Sequence, residues 1–186
     1  MLERIISVDK QLFLFLNNLG SPAFDNFWLF VTKQSHWTPF FLILMFLVYR
    51  KLGFKKLLVI IALVALLITL TDQTCNLVKN TVQRLRPCNN IDFVGIMRNV
   101  KPILTFSFFS GHAANSSAVA VFLYLLMNKY YKYFGLIIFW PLLFAYSRIY
   151  LGLHYPLDIL SGYLCGTIFG FLAYRLYKVI NPNFKK

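Results

Sequence analysis

Along this chain, apolar residues come in long runs separated by short polar breaks that are mostly basic. The first stretch, Ile5–Leu19, spaces its apolar residues as one face of a helix does, which predicts an amphipathic helix. A turn at Gly20-Ser21-Pro22 ends it. Five later segments reach the roughly 20 residues that a bilayer-spanning helix needs once their polar ends are included. They are His36–Tyr49, Leu57–Val78, Gly111–Met127, Tyr133–Tyr150 and Pro156–Tyr177. Pro141 predicts a kink in the fourth. Phe24–Val31 is a sixth, partial element, and Lys79–Ser110 is the longest polar connection. The pattern predicts an all-α, integral membrane helical bundle of five to six transmembrane helices with an N-terminal amphipathic helix. Residues 1–186 form a single membrane-embedded domain in this reading, with residues 1–35 as its interfacial N-terminal segment.

Composition removes the alternatives. The apolar residues make up 59% of the chain and the charged ones 13%, against about 45–50% and about 25% in a soluble domain. A protein this small has too little interior to hide so much apolar surface from water. Disorder, a fibrous repeat and a disulfide-rich secreted module are excluded as well. Cys75, Cys88 and Cys165 include no CxxC pair, so a thiol metal site is not expected, and a Cys75–Cys88 disulfide is left open. The N-terminus lacks the pattern of a cleavable signal peptide.

The net charge of +13 would suggest nucleic acid in a soluble protein, but here the basic residues flank apolar runs. No nucleic-acid partner is expected; the partners are the bilayer and its lipids. Span two ends near Lys79 and span three begins near Ser110, while span four ends near Arg148 and span five begins near Pro156, all on one side. The opposite side gathers Arg50, Lys51, Lys55, Lys56, Lys129, Lys132, Arg175, Lys178, Lys185 and Lys186 with no acid among them. By the positive-inside rule that side is cytoplasmic. The connection 79–110 is then an extracytoplasmic loop of a cell (inner or plasma) membrane protein.

Candidate chemistry gathers on the extracytoplasmic side. His112 and His154 sit at helix starts there, with Lys79, Arg86 and Arg148. Any one of these alone reads as a snorkelling anchor or a structural histidine; five of them converging from three segments read as a site. Ser110-Gly111-His112 opens span three, where unpaired backbone N–H groups and the positive end of the helix dipole favour an anion. Pro156 suits the first position of span five. It puts His154 just outside that helix and Asp158 four residues on, able to fold back on the imidazole, fix its tautomer and support a positive ring. Three cations, a helix N-terminus and an oriented histidine describe a phosphoryl-transfer site that requires neither a metal nor a cofactor.

Three motifs carry a resemblance. Lys79 to Pro87 reads K-x6-R-P, Phe109-Ser110-Gly111-His112 reads P-S-G-H with Phe in place of Pro, and Ser147 to Asp158 reads S-R-x5-H-x3-D. In this order and spacing they resemble the type 2 phosphatidic acid phosphatase family of membrane lipid phosphatases. The resemblance implies His154 as the nucleophile of a phosphohistidine route, Asp158 as its orienting partner and His112 as general acid. Lys79, Arg86, Arg148, Ser110 and the Gly111 N–H are implied as phosphate ligands. The implied substrate is a lipid phosphate or diphosphate: phosphatidic acid, phosphatidylglycerophosphate, a polyprenyl diphosphate or a lipid A-like molecule. A phosphotransferase using the same residues, or an anion-binding or transport protein, are the competing readings.

Other residues carry expectations of their own. Asp72 and Asn76 share a helical face with Lys79 and are candidates to orient it, or to pair with span three. Gly162, Gly166 and Gly170 form a small-residue stripe matched by Ala113, Ala114, Ser116, Ser117, Ala118 and Ala120, which predicts packing of span five on span three and a monomer rather than a dimer. His36 and Trp37 read as interfacial anchors. Arg84 reads as a phosphate or headgroup contact, and Phe109 as facing lipid.

Overall fold

Seven α-helices account for most of the computed structural model, which describes residues 1–182; Lys185 and Lys186 of the basic face lie outside them. The helices are α1 (Leu2–Asn18), α2 (Asp25–Thr32), α3 (Thr38–Leu52), α4 (Phe54–Val82), α5 (Gly111–Met127), α6 (Phe139–Tyr150) and α7 (Pro156–Ile180), and no strand occurs among the described residues. By length and composition, α4 and α7 are each long and apolar enough to cross a membrane. α5 and α6 are shorter and apolar.

α5 is the central helix. Eleven of its 17 residues are buried, which removes the amphipathic stripe a surface helix would show. It packs most closely on α7, and glycine is the reason. A Cβ on Gly162 would stand 2.6 Å from the Ser110 carbonyl oxygen, and one on Gly166 or Gly170 would collide with the Ala114 or Ala118 carbonyl. Backbone-to-backbone approach of this kind supplies the packing that hydrophobic burial cannot supply between helices in lipid. The stripe is therefore used inside one chain. α4 and α6 cover the other sides of α5, and the cluster of Leu57, Ile60, Leu63, Leu67, Phe122, Leu126, Phe134 and Tyr177 fills the end of the bundle away from the histidines.

The fourth apolar segment departs from expectation. A 3₁₀ turn over Phe134–Ile138 precedes α6, and Pro141 falls in the first turn of α6. There its missing N–H would have had no helical partner anyway, so the proline stands at the start of the helix and costs it no hydrogen bond. Trp37 also departs: its indole donates to the Val31 carbonyl at 2.8 Å and its ring packs on Phe40, Trp140 and Phe144. Its packing is internal, and the His36 ring stacks on Phe30 with centroids 4.1 Å apart. Phe109 is buried with Cys75 and Ala114 instead of facing lipid. The Cys75 thiol donates to the Phe109 carbonyl at 3.2 Å, while Cys88 lies against Asn89 and Ile103, so the two thiols are free.

α1 presents Asp9, Phe13 and Asn17 inward, one buried residue every four positions, and leaves Ile5, Val8, Leu12 and Phe15 exposed. Phe13 stacks on Phe93 and meets Tyr155 edge-on. The Asn17 amide donates to the carbonyls of Ile149 and Tyr150. The helix is thereby fixed to the segment that joins α6 to α7.

Candidate active site

His154 is set by a sharp bend. α6 ends at Tyr150, and Gly152 takes a left-handed φ of 79° that a residue with a Cβ adopts only at a cost. The Leu153 and His154 N–H groups both point back to the Arg148 carbonyl, at 2.9 and 3.3 Å. Pro156 then starts α7 without sacrificing a hydrogen bond. His154 is 1% exposed and Asp158 is fully buried. Asp158 Oδ2 accepts from the Tyr155 N–H at 2.9 Å, an N-terminal cap, and lies 3.3 Å from His154 Nδ1. With Nδ1–H donated to the carboxylate, Nε2 carries the free lone pair. That nitrogen lies 3.1 Å from Arg86 Nη1. Burial first, then the Arg86, Arg148 and Lys79 charges, holds the His154 ring well below the ordinary imidazole value, which favours the neutral ring.

Arg86 is locked in place. Its Nε donates to the Thr105 carbonyl and hydroxyl at 3.0 and 3.1 Å, and Nη1 donates to the Leu153 carbonyl at 2.9 Å. Burial lowers its pKa, yet a guanidinium remains charged. The Arg148 Nη1 donates to Thr32 Oγ1 of α2 at 2.6 Å, while its buried Nε has no protein partner. A buried, unpartnered guanidinium nitrogen beside other cations calls for an anionic ligand.

These groups surround a polar cavity of about 240 Å³, lined by Lys79, Arg86, Gly111, His112, Arg148 and His154, with Gln34, Asp72, Cys75, Asn76, Asn115 and Phe144 completing the wall. The fold brings His154, His112, Lys79, Arg86, Arg148, Gly111, Asp72 and Asn76 together. Ser110 is not part of the lining. Its fully buried hydroxyl caps α5 by accepting from the Ala113 N–H at 3.4 Å, and its own N–H donates to the Asp158 carbonyl at 2.9 Å. Asp158 stands behind His154, outside the cavity. Asp72 accepts from the Asn115 amide at 2.7 Å, and Asn115 also meets the Thr71 hydroxyl, so the deep carboxylate pairs with span three.

Sequence reasoning missed Gln34 and Asn115 in the cavity wall and Thr32 behind Arg148. It also placed Arg84 at the phosphate or the headgroups, whereas Arg84 does not line the polar cavity: Nη1 meets Asp158 Oδ1 at 2.7 Å and Nη2 meets Asp9 Oδ2 at 2.6 Å. Burial opposes its charge, but the Asp158 and Asp9 carboxylates outweigh burial and raise its pKa. The one available signal was the four-residue spacing of Asp9, Phe13 and Asn17, which puts an acid on the buried stripe of α1.

A second cavity, also about 240 Å³, is lined almost wholly by apolar side chains of α3, α4, α5 and α6 and shares Gln34, Asn115 and Phe144 with the polar one.

Comparison with known proteins agrees with this geometry. The model of the PAP2 superfamily matches residues 54–182. A lipid A 4'-phosphatase of Bacteroides thetaiotaomicron is 36% identical over 180 residues, covering 94% of this chain and 79% of that protein. An undecaprenyl-diphosphatase of Sulfolobus acidocaldarius is 31% identical over 179 residues, covering 94% and 81%. Among solved structures, a transmembrane PAP2-type phosphatidylglycerolphosphate phosphatase from Bacillus subtilis superposes with a TM-score of 0.71 at 21% identity, over 98% of this chain and 89% of that one, a likeness of fold.

Proposed function

From the premise that the chain belongs to the PAP2 superfamily and is a lipid phosphatase, we propose that it works through a phosphohistidine on the extracytoplasmic face of the membrane. The observation that carries this reading is His154 itself: Nδ1 on a buried carboxylate, the ring in the cavity wall, and a fixed guanidinium nitrogen 3.1 Å from Nε2. Nε2 attacks phosphorus, and the bond from phosphorus to the lipid oxygen breaks. His112 gives that oxygen a proton. Water then attacks phosphorus, gives a proton to His112, and releases phosphate and the free Nε2. Lys79, Arg86, Arg148 and the Gly111 N–H hold the phosphoryl oxygens, whose charge is greatest in the five-coordinate transition state. Ser110 acts on the anion only through the helix end it caps. Asp158 balances the imidazolium that forms when Nε2 is phosphorylated.

The substrate we propose is a phosphorylated glycolipid of the lipid A type. Besides the similarity to a lipid A 4'-phosphatase, the cavity sets Asp72, Asn76, Asn115 and Gln34 beside the cations. A carboxylate repels phosphate, but it accepts hydrogen bonds from hydroxyl and amide groups of a sugar. The apolar cavity that adjoins these residues fits an acyl chain. Five helices cross the bilayer in this proposal, α3 to α7, with α1 and α2 lying at the extracytoplasmic interface, and the unit is one domain acting as a monomer.

Detergent-purified protein incubated with lipid A, phosphatidic acid, phosphatidylglycerophosphate and a polyprenyl diphosphate is expected to release phosphate fastest from lipid A. Excess EDTA leaves the rate unchanged, and orthovanadate, which adopts the trigonal bipyramid of the transition state, inhibits it. Loss of activity in EDTA with recovery in magnesium, and indifference to vanadate, would overturn the mechanism. Transfer of the phosphoryl group to an added lipid alcohol in preference to water would favour the phosphotransferase reading.

The orientation has its own test. Asn90 lies in the connection between α4 and α5, on the histidine side. With the other cysteines replaced by serine, Asn90→Cys in intact cells is expected to react with a membrane-impermeant maleimide. Reaction only after the cytoplasmic face is opened refutes the orientation.

A further inference from the structure

The phosphohistidine reading assigns work to His154 and Asp158 but leaves two buried charges beside them unused. Asp158 offers two oxygens. Oδ2 is taken by the Tyr155 N–H and by His154 Nδ1; Oδ1 is taken by Arg84 Nη1 at 2.7 Å. Arg84 reaches on to Asp9 Oδ2 at 2.6 Å, and Asp9 Oδ1 accepts from the Leu157 N–H, in the first turn of α7, at 2.9 Å. The guanidinium carbon lies over the Tyr155 ring, 3.8 Å from its centroid, and the Arg84 carbonyl accepts from the Ser107 N–H at 2.8 Å. The Asp158 and Asp9 side chains are 0% and 1% exposed, and that of Arg84 is 20% exposed. A fork held at both prongs by carboxylates, and stacked on an aromatic face, has one orientation.

We infer that Arg84 and Asp9 are positioning residues for the phosphatase reaction: the Asp9–Arg84–Asp158 chain fixes the carboxylate that holds the His154 ring, making the N-terminal helix part of the catalytic apparatus. The inference rests on the phosphohistidine reading above. Arg84 binds one oxygen of each of the two buried carboxylates, so it orients Asp158 and its charge favours the ionised form of that group. An ionised Asp158 accepts the hydrogen bond from Nδ1–H and so keeps the lone pair of the ring on Nε2. The division of labour among the cations follows: Lys79, Arg86 and Arg148 line the cavity, while the two acids hold Arg84 away from it. The charged and titratable groups that face Asp158 are Arg84 from the connection after α4, His154 and Tyr155 before α7, Arg86 beyond His154, and Asp9 from α1.

The test measures kcat, KM and their pH dependence for the full-length protein in detergent, with lipid A and with phosphatidic acid as probes. Arg84→Gln leaves Asp9 and Asp158 facing each other without a cation, which favours protonation of the pair. Its kcat is expected to fall about 100-fold, the scale of a catalytic group displaced by about 1 Å, with KM within about twofold. The acid limb of its kcat profile moves to higher pH. Asp9→Asn removes the competing carboxylate while keeping an oxygen for Leu157 N–H, so its acid limb moves the opposite way. Arg84→Lys, with a single ammonium, recovers part of kcat and part of the shift. Equal losses of thermal stability in both variants with unmoved pH profiles would reduce the chain to a structural clamp and overturn the inference. A rise in KM and in the vanadate inhibition constant, with kcat and its acid limb intact, would make Arg84 a phosphate ligand and overturn it too. His154→Ala is run alongside: turnover in that variant means the phosphohistidine reading itself has failed, whereas an inactive His154→Ala with an indifferent Arg84→Gln rejects only the role of Arg84 and Asp9.

Discussion

His154→Ala is expected to abolish phosphate release while the protein still inserts, purifies as a monodisperse species and melts near the wild-type temperature. In the proposed mechanism this imidazole supplies the atom that bonds to phosphorus, while the other imidazole of the cavity, His112, lies on the Phe144 ring and is assigned the proton instead. The rest of the wall offers Lys79, two arginines, carboxamides, a carboxylate, the Phe144 ring and the Cys75 thiol. Removal of a nucleophile leaves the electrostatic assistance of the anion site, so a small residual rate over water is allowed. Folding should survive because the ring contributes little to the core: the bend before α7 is held by backbone bonds to the Arg148 carbonyl and by Gly152 and Pro156. The uncompensated group left behind is Asp158, which still has Arg84 and the Tyr155 N–H. Rapid quenching of wild-type enzyme with radiolabelled substrate should trap an acid-labile, alkali-stable label, the signature of a phosphoramidate, and His154→Ala should trap none. Turnover by His154→Ala at more than a few per cent of the wild-type rate would refute the assignment.

How much of this was legible in the sequence depends on how local each cause is. The bounds Gly111–Met127 of α5 could be read because Ser110 and Gly111 give a helix start and the basic cluster after Met127 gives an end. The pairing of His154 with Asp158 is a matter of four residues across the start of a helix, and the glycine stripe of α7 is visible as a period. The contributions that could not be read come from far along the chain. Asp9 and Arg84 are 75 residues apart, Thr32 and Arg148 are 116 apart, and nothing in either member of a pair marks the other. Ser110 shows a different limit. Its residue type suited both a phosphate ligand and a helix cap, and only the helix geometry reveals that its hydroxyl is used as the cap. Their sequence context suggests an interfacial anchor for Trp37 and a lipid contact for Phe109, where the motif has Pro, yet both rings pack on other parts of the chain. In a bundle whose central helix is made of alanine and serine at that end, large rings from neighbouring segments are needed to fill the space.

His112→Ala is expected to lower kcat on a lipid phosphate monoester about 10²- to 10⁴-fold, the range for loss of a general acid, and to slow phosphohistidine formation from p-nitrophenyl phosphate much less. The departing oxygen of a lipid or sugar alcohol is strongly basic and must be protonated as its bond to phosphorus breaks. Nitrophenolate leaves without that help. His112 stands at the start of α5 in the wall of the cavity that holds Arg86, Arg148 and His154, and its ring lies on Phe144 with centroids 4.8 Å apart. The stacking fixes the plane of the ring, and the small neighbours Ala113 and Ala114 let α5 approach α7 closely enough for both histidines to line one cavity. A burst experiment separates the two halves of the reaction. With p-nitrophenyl phosphate, His112→Ala should form the phosphohistidine at a near-normal rate and then stall, because the water that attacks it has lost its proton acceptor. Nitrophenol should therefore appear as a stoichiometric burst followed by slow turnover. A loss of equal size on both substrates, with no burst, would move His112 from proton transfer to the holding of the phosphate.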